Sequence, residues 1–149
     1  MPVGEICTRE VTVMRRDETV MEAAKLMRQH HVGSILVVED RNGVQIPVGI
    51  VTDRDLVVEV MSPELDHRVI TVGDIMTQEL FTVKDSVDTF EAIQYMRSKT
   101  VRRLPVVDAA GGLVGILSLD DVLELLAEEM LNLSKLVGYE RKKEMRHRR

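Results

Sequence analysis

Hydrophobic and polar positions follow the same order twice along the chain. Each copy has a short apolar segment, an amphipathic helix and a run of consecutive apolar residues that predicts a buried strand. A turn containing glycine, a second apolar strand and a second helix complete it. These segments cover residues 11–13, 20–27, 35–38, 48–51 and 53–61 in the first copy, and residues 80–83, 92–96, 104–107, 113–117 and 119 to about 137 in the second. The pattern predicts an α/β (α+β) chain built from two β-α-β-β-α units.

The residue types repeat as well. At a shift of 69 positions, residues 3–8 (VGEICT) align with residues 72–77 (VGDIMT). Past the turn the shift falls to 66, where residues 48–50 and 114–116 are both Val-Gly-Ile. The difference in length lies in the turn, where a duplicated fold tolerates it. A unit of about 60 residues is marginal alone, so we expect the copies to share a core.

The last predicted helix differs from its counterpart in length and in charge. Its apolar stripe, formed by Val122, Leu125, Leu126 and Leu133, predicts burial. Residues 140–149 carry a net charge of +4, so the first 139 sum to −9. An acidic body does not suit a general binder of phosphate backbones. The basic tail is typical of a solvated helix end, with contact to RNA, acidic lipid or an acidic partner as the alternative.

Composition narrows the class of protein. The single cysteine, Cys7, excludes an internal disulfide or a cysteine-cluster metal site and suits a reducing compartment. Residues 1–10 lack the pattern of a signal peptide and the apolar runs are too short to span a bilayer, so we expect a cytoplasmic protein. No nucleophile–base set or glycine-rich phosphate loop is present. We therefore expect no catalytic residues, no metal site and no enzymatic activity; His30 and His31 fit the end of a helix.

A hydroxyl and a carboxylate follow the second strand of each copy. These pairs are Thr52 with Asp55, and Ser118 with Asp121. The spacing predicts a capping box at the start of each second helix. The same turn lies at the carboxyl end of a strand, where ligands bind in α/β folds, and a carboxylate there can accept hydrogen bonds from a ribose diol. The two interpretations are compatible, because one carboxylate oxygen can cap while the other stays free.

The runs VGIVTDRDL, VRRLPVVD, GLVGILSLDDVL and VGDIMT, in tandem, resemble CBS domains, which occur in pairs as a Bateman module. The resemblance covers residues 3–131. It implies two β-α-β-β-α motifs related by a pseudo-two-fold axis, with a cleft between them. It also implies an adenosine-containing ligand there: AMP, ADP, ATP, S-adenosylmethionine or NAD(H).

Carried onto this sequence, the resemblance implies two ligand sites. One centres on Thr52 and Asp55 and the other on Ser118 and Asp121. Lead segments 8–11 and 77–80, which run from Thr8 to Val11 and from Thr77 to Leu80, and the starts of the buried strands would enclose the bases. Arg102 and Arg103 precede the strand of the second copy, where the first copy has Gly33 and Ser34. This difference favours a phosphorylated ligand at the first site, near Arg102, Arg103 and Arg54.

These inferences give one overall hypothesis. Residues 1–62 form the first motif, 63–70 a linker, 71–131 the second motif and 132–149 a helical extension with a basic tail. The first 131 residues act as one regulatory module that senses an adenosine nucleotide, forms a homodimer and signals to an effector protein whose identity the sequence does not give. The alternatives are a structural or protein-interaction dimer with vestigial sites, and nucleic-acid contact through the tail.

Overall fold

The computed structural model describes residues 1–77 and 79–148. It contains two three-stranded sheets, one for each copy, with strand orders β1-β2-β3 and β4-β5-β6. In chain order the elements are α1 (Val3–Ile6), β1 (Val13–Met14), α2 (Val20–His30), β2 (Ser34–Arg41), β3 (Val44–Thr52), α3 (Asp53–Asp55), a π-helix (Leu56–Met61), α4 (Val72–Ile75), β4 (Val83–Lys84), α5 (Thr89–Lys99), β5 (Arg103–Val107), β6 (Leu113–Ser118) and α6 (Leu119–His147). The mixed α/β class is confirmed.

The first strand of each sheet runs parallel to the central strand. In the first sheet, β2 and β3 form an antiparallel hairpin. Its turn consists of Asn42 and Gly43, which both have positive φ angles of 53° and 79°. Two left-handed residues match the twist of the flanking strands, which explains why asparagine and glycine stand there.

Several element bounds differ from the predicted ones. The first strands shrink to two residues each and begin at Val13 and Val83. The predicted helix 53–61 divides into the single turn α3 and a π-helix, whose last turn closes with Ser62 N–H donating to the Val57 carbonyl at 2.8 Å. Pro63 follows directly and lacks an N–H, so the helix stops there.

The second compact unit begins at Ser118 and consists of α6. This helix continues ten residues beyond the predicted end at Val137 and reaches His147. Within it Val122 is buried, but Leu126 is 41 % exposed and Leu133 63 % exposed. The predicted burial of the whole stripe is therefore wrong for these two leucines.

The core of the first copy includes residues from the second. Val72 and Met76, from α4 and the residue after it, pack in one buried cluster with Val20, Ile35 and Val51. The expectation of a shared core is met within residues 1–117. The four-residue helices α1 and α4 thus belong to the packing although the hydrophobic pattern does not predict them.

The two lead segments cross over to the opposite copies in a reciprocal way. Backbone N–H groups of the first lead donate to the loop before α5, and those of the second lead donate to the loop before α2. The bonds are Val3 to Val87 at 2.9 Å and Gly4 to Asp85 at 3.0 Å in one direction, and Val72 to Glu18 at 2.8 Å and Gly73 to Arg16 at 3.0 Å in the other. Each pair occupies equivalent positions in the repeat, so the exchange has pseudo-two-fold symmetry.

Candidate functional site

The first strand-to-helix turn contains a complete capping box. Thr52 has an extended backbone, and its hydroxyl accepts a hydrogen bond from the Asp55 N–H at 3.2 Å. In return, Oδ2 of Asp55 accepts from the Thr52 N–H at 2.9 Å. Both residues are half-buried. Oδ1 of Asp55 accepts no hydrogen bond from any residue in the described ranges, so one carboxylate oxygen caps and the other is available.

The start of the central strand lies beside this turn, as expected. Ser34 pairs with Thr52 in the β2–β3 register, and the Gly33 carbonyl accepts from the Asp53 N–H at 2.9 Å. A Cβ atom at Gly33 would lie 3.1 Å from Oδ2 of Asp53, so the glycine leaves room for this carboxylate. The exposed Arg54 side chain forms no ion pair with another described residue.

The lead segments meet the strands crosswise. Thr77 donates its N–H to the Ile50 carbonyl at 3.3 Å, two residues before Thr52. Thr8 exchanges two backbone hydrogen bonds of 2.9 Å with Ile116. The sequence-based expectation placed each lead segment against the turn of its own copy. Instead α1 and α4 direct each one to the opposite copy, so Thr77 accompanies the strand that ends at Thr52.

Two arginines stand before the central strand of the second sheet. Arg102 is exposed at a bend, and the half-buried Arg103 is the first residue of β5. Across residues 1–77 and 79–148, neither guanidinium makes a hydrogen bond or ion pair, with Asp55 or with any other group. Each is therefore an uncompensated positive charge that an anionic ligand can satisfy.

The second turn is simpler. Ser118 is extended, and its hydroxyl accepts from the Asp121 N–H at 3.1 Å at the start of α6. Both residues are half-buried. Leu119 and Asp120 stand where the first turn has Asp53 and Arg54. The predicted cap is present, but this turn lacks the neighbouring arginine.

A cavity of about 580 Å³ lies in the first copy and includes Val11 of the lead segment. Its apolar walls can pack against a flat ring, and His30 and Glu10 add polar groups. The lining residues are Glu10, Val11, Thr12, Val13, Leu26, His30 and Val32. Of these, Val11 alone is among the predicted site residues.

The equivalent positions of the second copy hold a packed cluster. Adding 69 to positions 12, 26 and 30 gives Phe81, Tyr95 and Lys99. The two rings pack edge to face with centroids 6.2 Å apart, and Nζ of Lys99 lies 5.0 Å from the Phe81 centroid. These three replacements within the repeat are the sequence signal that distinguishes the copies at this place.

Two searches of the described residues gave no result. No group of three or more His, Cys, Asp or Glu side chains among them is arranged to hold a metal ion. None of the helices they form combines the length and the apolar character required to cross a membrane.

Comparison with known proteins identifies the family. The model of the CBS domain matches residues 3–62 and 72–128. The chain is 38 % identical to an uncharacterised protein of Methanopyrus kandleri, over 83 % of this chain and 61 % of that protein, and therefore spans less than two thirds of this relative. It is 35 % identical to the CBS domain-containing protein YhcV of Bacillus subtilis, over 80 % of this chain and 81 % of that protein.

Solved structures agree with the family match. An uncharacterised conserved protein from Pyrococcus horikoshii superposes with a TM-score of 0.72 and 30 % identity, over 83 % of this chain and 90 % of that one. A CBS domain pair in complex with 5′-methylthioadenosine and S-adenosyl-L-methionine superposes with a TM-score of 0.73 and 22 % identity, over 87 % and 98 % of the two chains. The chain belongs to the CBS domain family, as a tandem pair of the motifs that make up this known regulatory module.

Proposed function

We propose that the chain is a non-catalytic regulatory module of the cytoplasm that binds an adenosine-containing ligand at the turn formed by Thr52 and Asp55. The observation that carries this proposal is the divided carboxylate of Asp55. Oδ2 caps the helix, while Oδ1 has no partner among the described residues. A ribose diol offers two hydroxyl donors, and a half-buried carboxylate oxygen at the end of a strand is a suitable acceptor for them.

Free positive charge beside the module supports a phosphorylated ligand. Arg102, Arg103 and Arg54 make no ion pair within the described ranges, and paired guanidiniums bind phosphate oxygens in a bidentate way. The first copy has Gly33 and Ser34 in place of the arginine pair. The proposed ligand is therefore AMP, ADP or ATP in the first instance, with NAD(H) and S-adenosylmethionine as the related adenosyl compounds.

A second, weaker site is proposed at Ser118 and Asp121, with Thr8, Val11, Thr77 and Leu80 as the lead residues that line the two bases. The CBS pair solved with 5′-methylthioadenosine and S-adenosyl-L-methionine supports the adenosyl class of ligand. We propose that residues 1–62 and 71–131 are the two motifs, joined by residues 63–70, and that the molecule forms a homodimer and signals its ligand state to an effector protein.

The first experiment replaces Asp55 by Asn and measures affinity for AMP, ADP, ATP, NAD, NADH and S-adenosylmethionine by isothermal titration calorimetry. Asparagine keeps a carbonyl oxygen for the cap but replaces the second oxygen with a donor. Since a hydrogen bond to a charged group contributes about 1.5–3 kcal/mol, we expect the affinity of the bound ligand to fall at least about tenfold.

A matched control comes from a second capping box of the same geometry. Oδ2 of Asp74 accepts from the Thr71 N–H at 2.9 Å, and the Thr71 hydroxyl accepts from the Asp74 N–H at 3.3 Å. Asp74→Asn should leave ligand affinity within about twofold. The ribose assignment is wrong if no compound in the panel binds, or if Asp55→Asn binds as tightly as the Asp74→Asn control.

A second experiment tests the phosphate contacts. The double variant Arg102→Ala/Arg103→Ala should lose at least about tenfold in affinity for ADP or ATP and retain its affinity for adenosine, because only the phosphates need the guanidiniums. The double variant Arg28→Ala/Arg97→Ala removes two exposed arginines from equivalent positions of α2 and α5 and is the control. Equal losses for ADP and adenosine would remove the arginines from the site.

A further inference from the structure

Helix α6 carries an apolar stripe with the spacing of a coiled coil. Its 29 residues correspond to a length of about 43 Å. Five apolar residues recur at alternating steps of three and four, which is the heptad pattern of positions a and d. They are Leu123, Leu126, Met130, Leu133 and Val137, with exposed fractions of 55, 41, 72, 63 and 49 %. The stripe therefore has the period of a helix–helix seam and is exposed to solvent along its whole length.

The charges of α6 are divided between its two halves. Residues 119–132 contain five Asp or Glu and no Lys or Arg. Residues 133–148 contain six Lys or Arg and two Glu. The helix macrodipole favours this order of signs, but its effect falls off within the first and last turns. Glu124, Glu128 and Glu129 lie beyond the first turn, so the dipole does not account for them.

We propose that α6 pairs in antiparallel orientation with α6 of a second copy of this chain. An antiparallel pair brings the two apolar stripes together and sets the acidic half of each helix against the basic half of the other. A parallel pair would oppose acid to acid and base to base along the full length. The helix is thus complementary to itself about a two-fold axis, which is the requirement for a closed homodimer.

This inference specifies the surface of the homodimer proposed above and is independent of ligand binding at Asp55. A chain that fails to bind nucleotide can still dimerise through α6, and a monomeric chain can still bind nucleotide. The calorimetric experiments and those that follow therefore fail separately.

The first test is sedimentation equilibrium of the full chain. Leu126→Gln/Leu133→Gln removes two apolar side chains from the stripe and retains helix-forming residues. Leu131→Gln is the control, since Leu131 is 55 % exposed on the same helix but lies outside the stripe. We expect the dimer dissociation constant to rise at least about a hundredfold in the double variant and less than about threefold in the control.

The second test measures orientation and does not depend on a destabilised variant. In a Cys7→Ser background, nitroxide labels are placed in separate samples at Asn132→Cys, near the middle of α6, and at Met145→Cys, near its end. Antiparallel pairing predicts that pulsed electron resonance gives a short distance between the two middle labels and about 40 Å between the two end labels. A monomeric wild-type chain, an unchanged dissociation constant in Leu126→Gln/Leu133→Gln, or short distances at both positions overturns the proposal.

Discussion

Gly115 stands where the backbone of the opposite lead segment passes over β6. A Cβ atom there would lie 2.5 Å from the carbonyl oxygen of Thr8. That carbonyl accepts from the Ile116 N–H at 2.9 Å, so it is fixed by the same contact that brings it close. At the equivalent position of the first copy, Gly49 faces the side chain of Met76. The glycine recurs in both copies because both strands are crossed by a lead segment.

Gly115→Ala should therefore destabilise the chain. A methyl group would force the backbone of Thr8 away from its hydrogen-bonded position, and overpacking of this kind costs about 1–3 kcal/mol in the free energy of unfolding. Gly138→Ala is the contrasting control: it lies in α6 with no atom within 4 Å of an added Cβ, so alanine should stabilise the helix by up to about 1 kcal/mol. Urea denaturation measures both, and equal effects of the two substitutions would contradict the close approach.

The sequence predicted Thr52 and Asp55 as a capping pair because a capping box joins residues only three apart. It did not predict the cavity around Val11, whose walls come from a lead segment, from Leu26 and His30 of α2 and from Val32. Those residues are distant along the chain, and their common position depends on tertiary packing. The replacements of Thr12, Leu26 and His30 by Phe, Tyr and Lys in the second copy had meaning only once they were seen to be neighbours.

Helix α4 has four residues, yet it completes the core of the first copy. Its capping box fixes the start at Thr71, Val72 is fully buried, and Met76 is 5 % exposed. Hydrophobic periodicity cannot detect a single turn of helix, because the pattern needs at least two turns to repeat. The longer helices α2 and α5 were predicted for the converse reason. In α6 the same periodicity gave an apolar face, but a pattern does not state which surface covers that face.

Met76→Ala tests the docking of α4. Truncating a buried methionine in the core should lower the free energy of unfolding by about 2–4 kcal/mol. Met61→Ala is the control, because Met61 is 71 % exposed and should change stability by less than about 0.5 kcal/mol. Chemical denaturation of the full chain measures the difference. Similar values for the two variants would mean that α4 does not stabilise the first copy.

Across the whole chain, the repeat predicted the order of elements within each copy, and the CBS family match agrees with it. The repeat could not predict the crossover of the lead segments. Residues 3–8 and 72–77 are alike, so the sequence reads the same whether each lead packs on its own copy or on the other. Hydrogen bonds from Val3 to Val87 and from Val72 to Glu18 decide the question in favour of exchange.

The reciprocal exchange gives this chain the topology of a domain-swapped dimer whose two protomers have been joined end to end. Two separate copies could form the same contacts only by association, at a rate and extent set by their concentration. The connection through residues 62–71 makes that association intramolecular, with an effective concentration that a short tether places in the millimolar range. Fusion of the copies also freed them to diverge: once every molecule held one of each, one copy could keep an open cavity beside Val11 while the other filled the equivalent space with Phe81 and Tyr95.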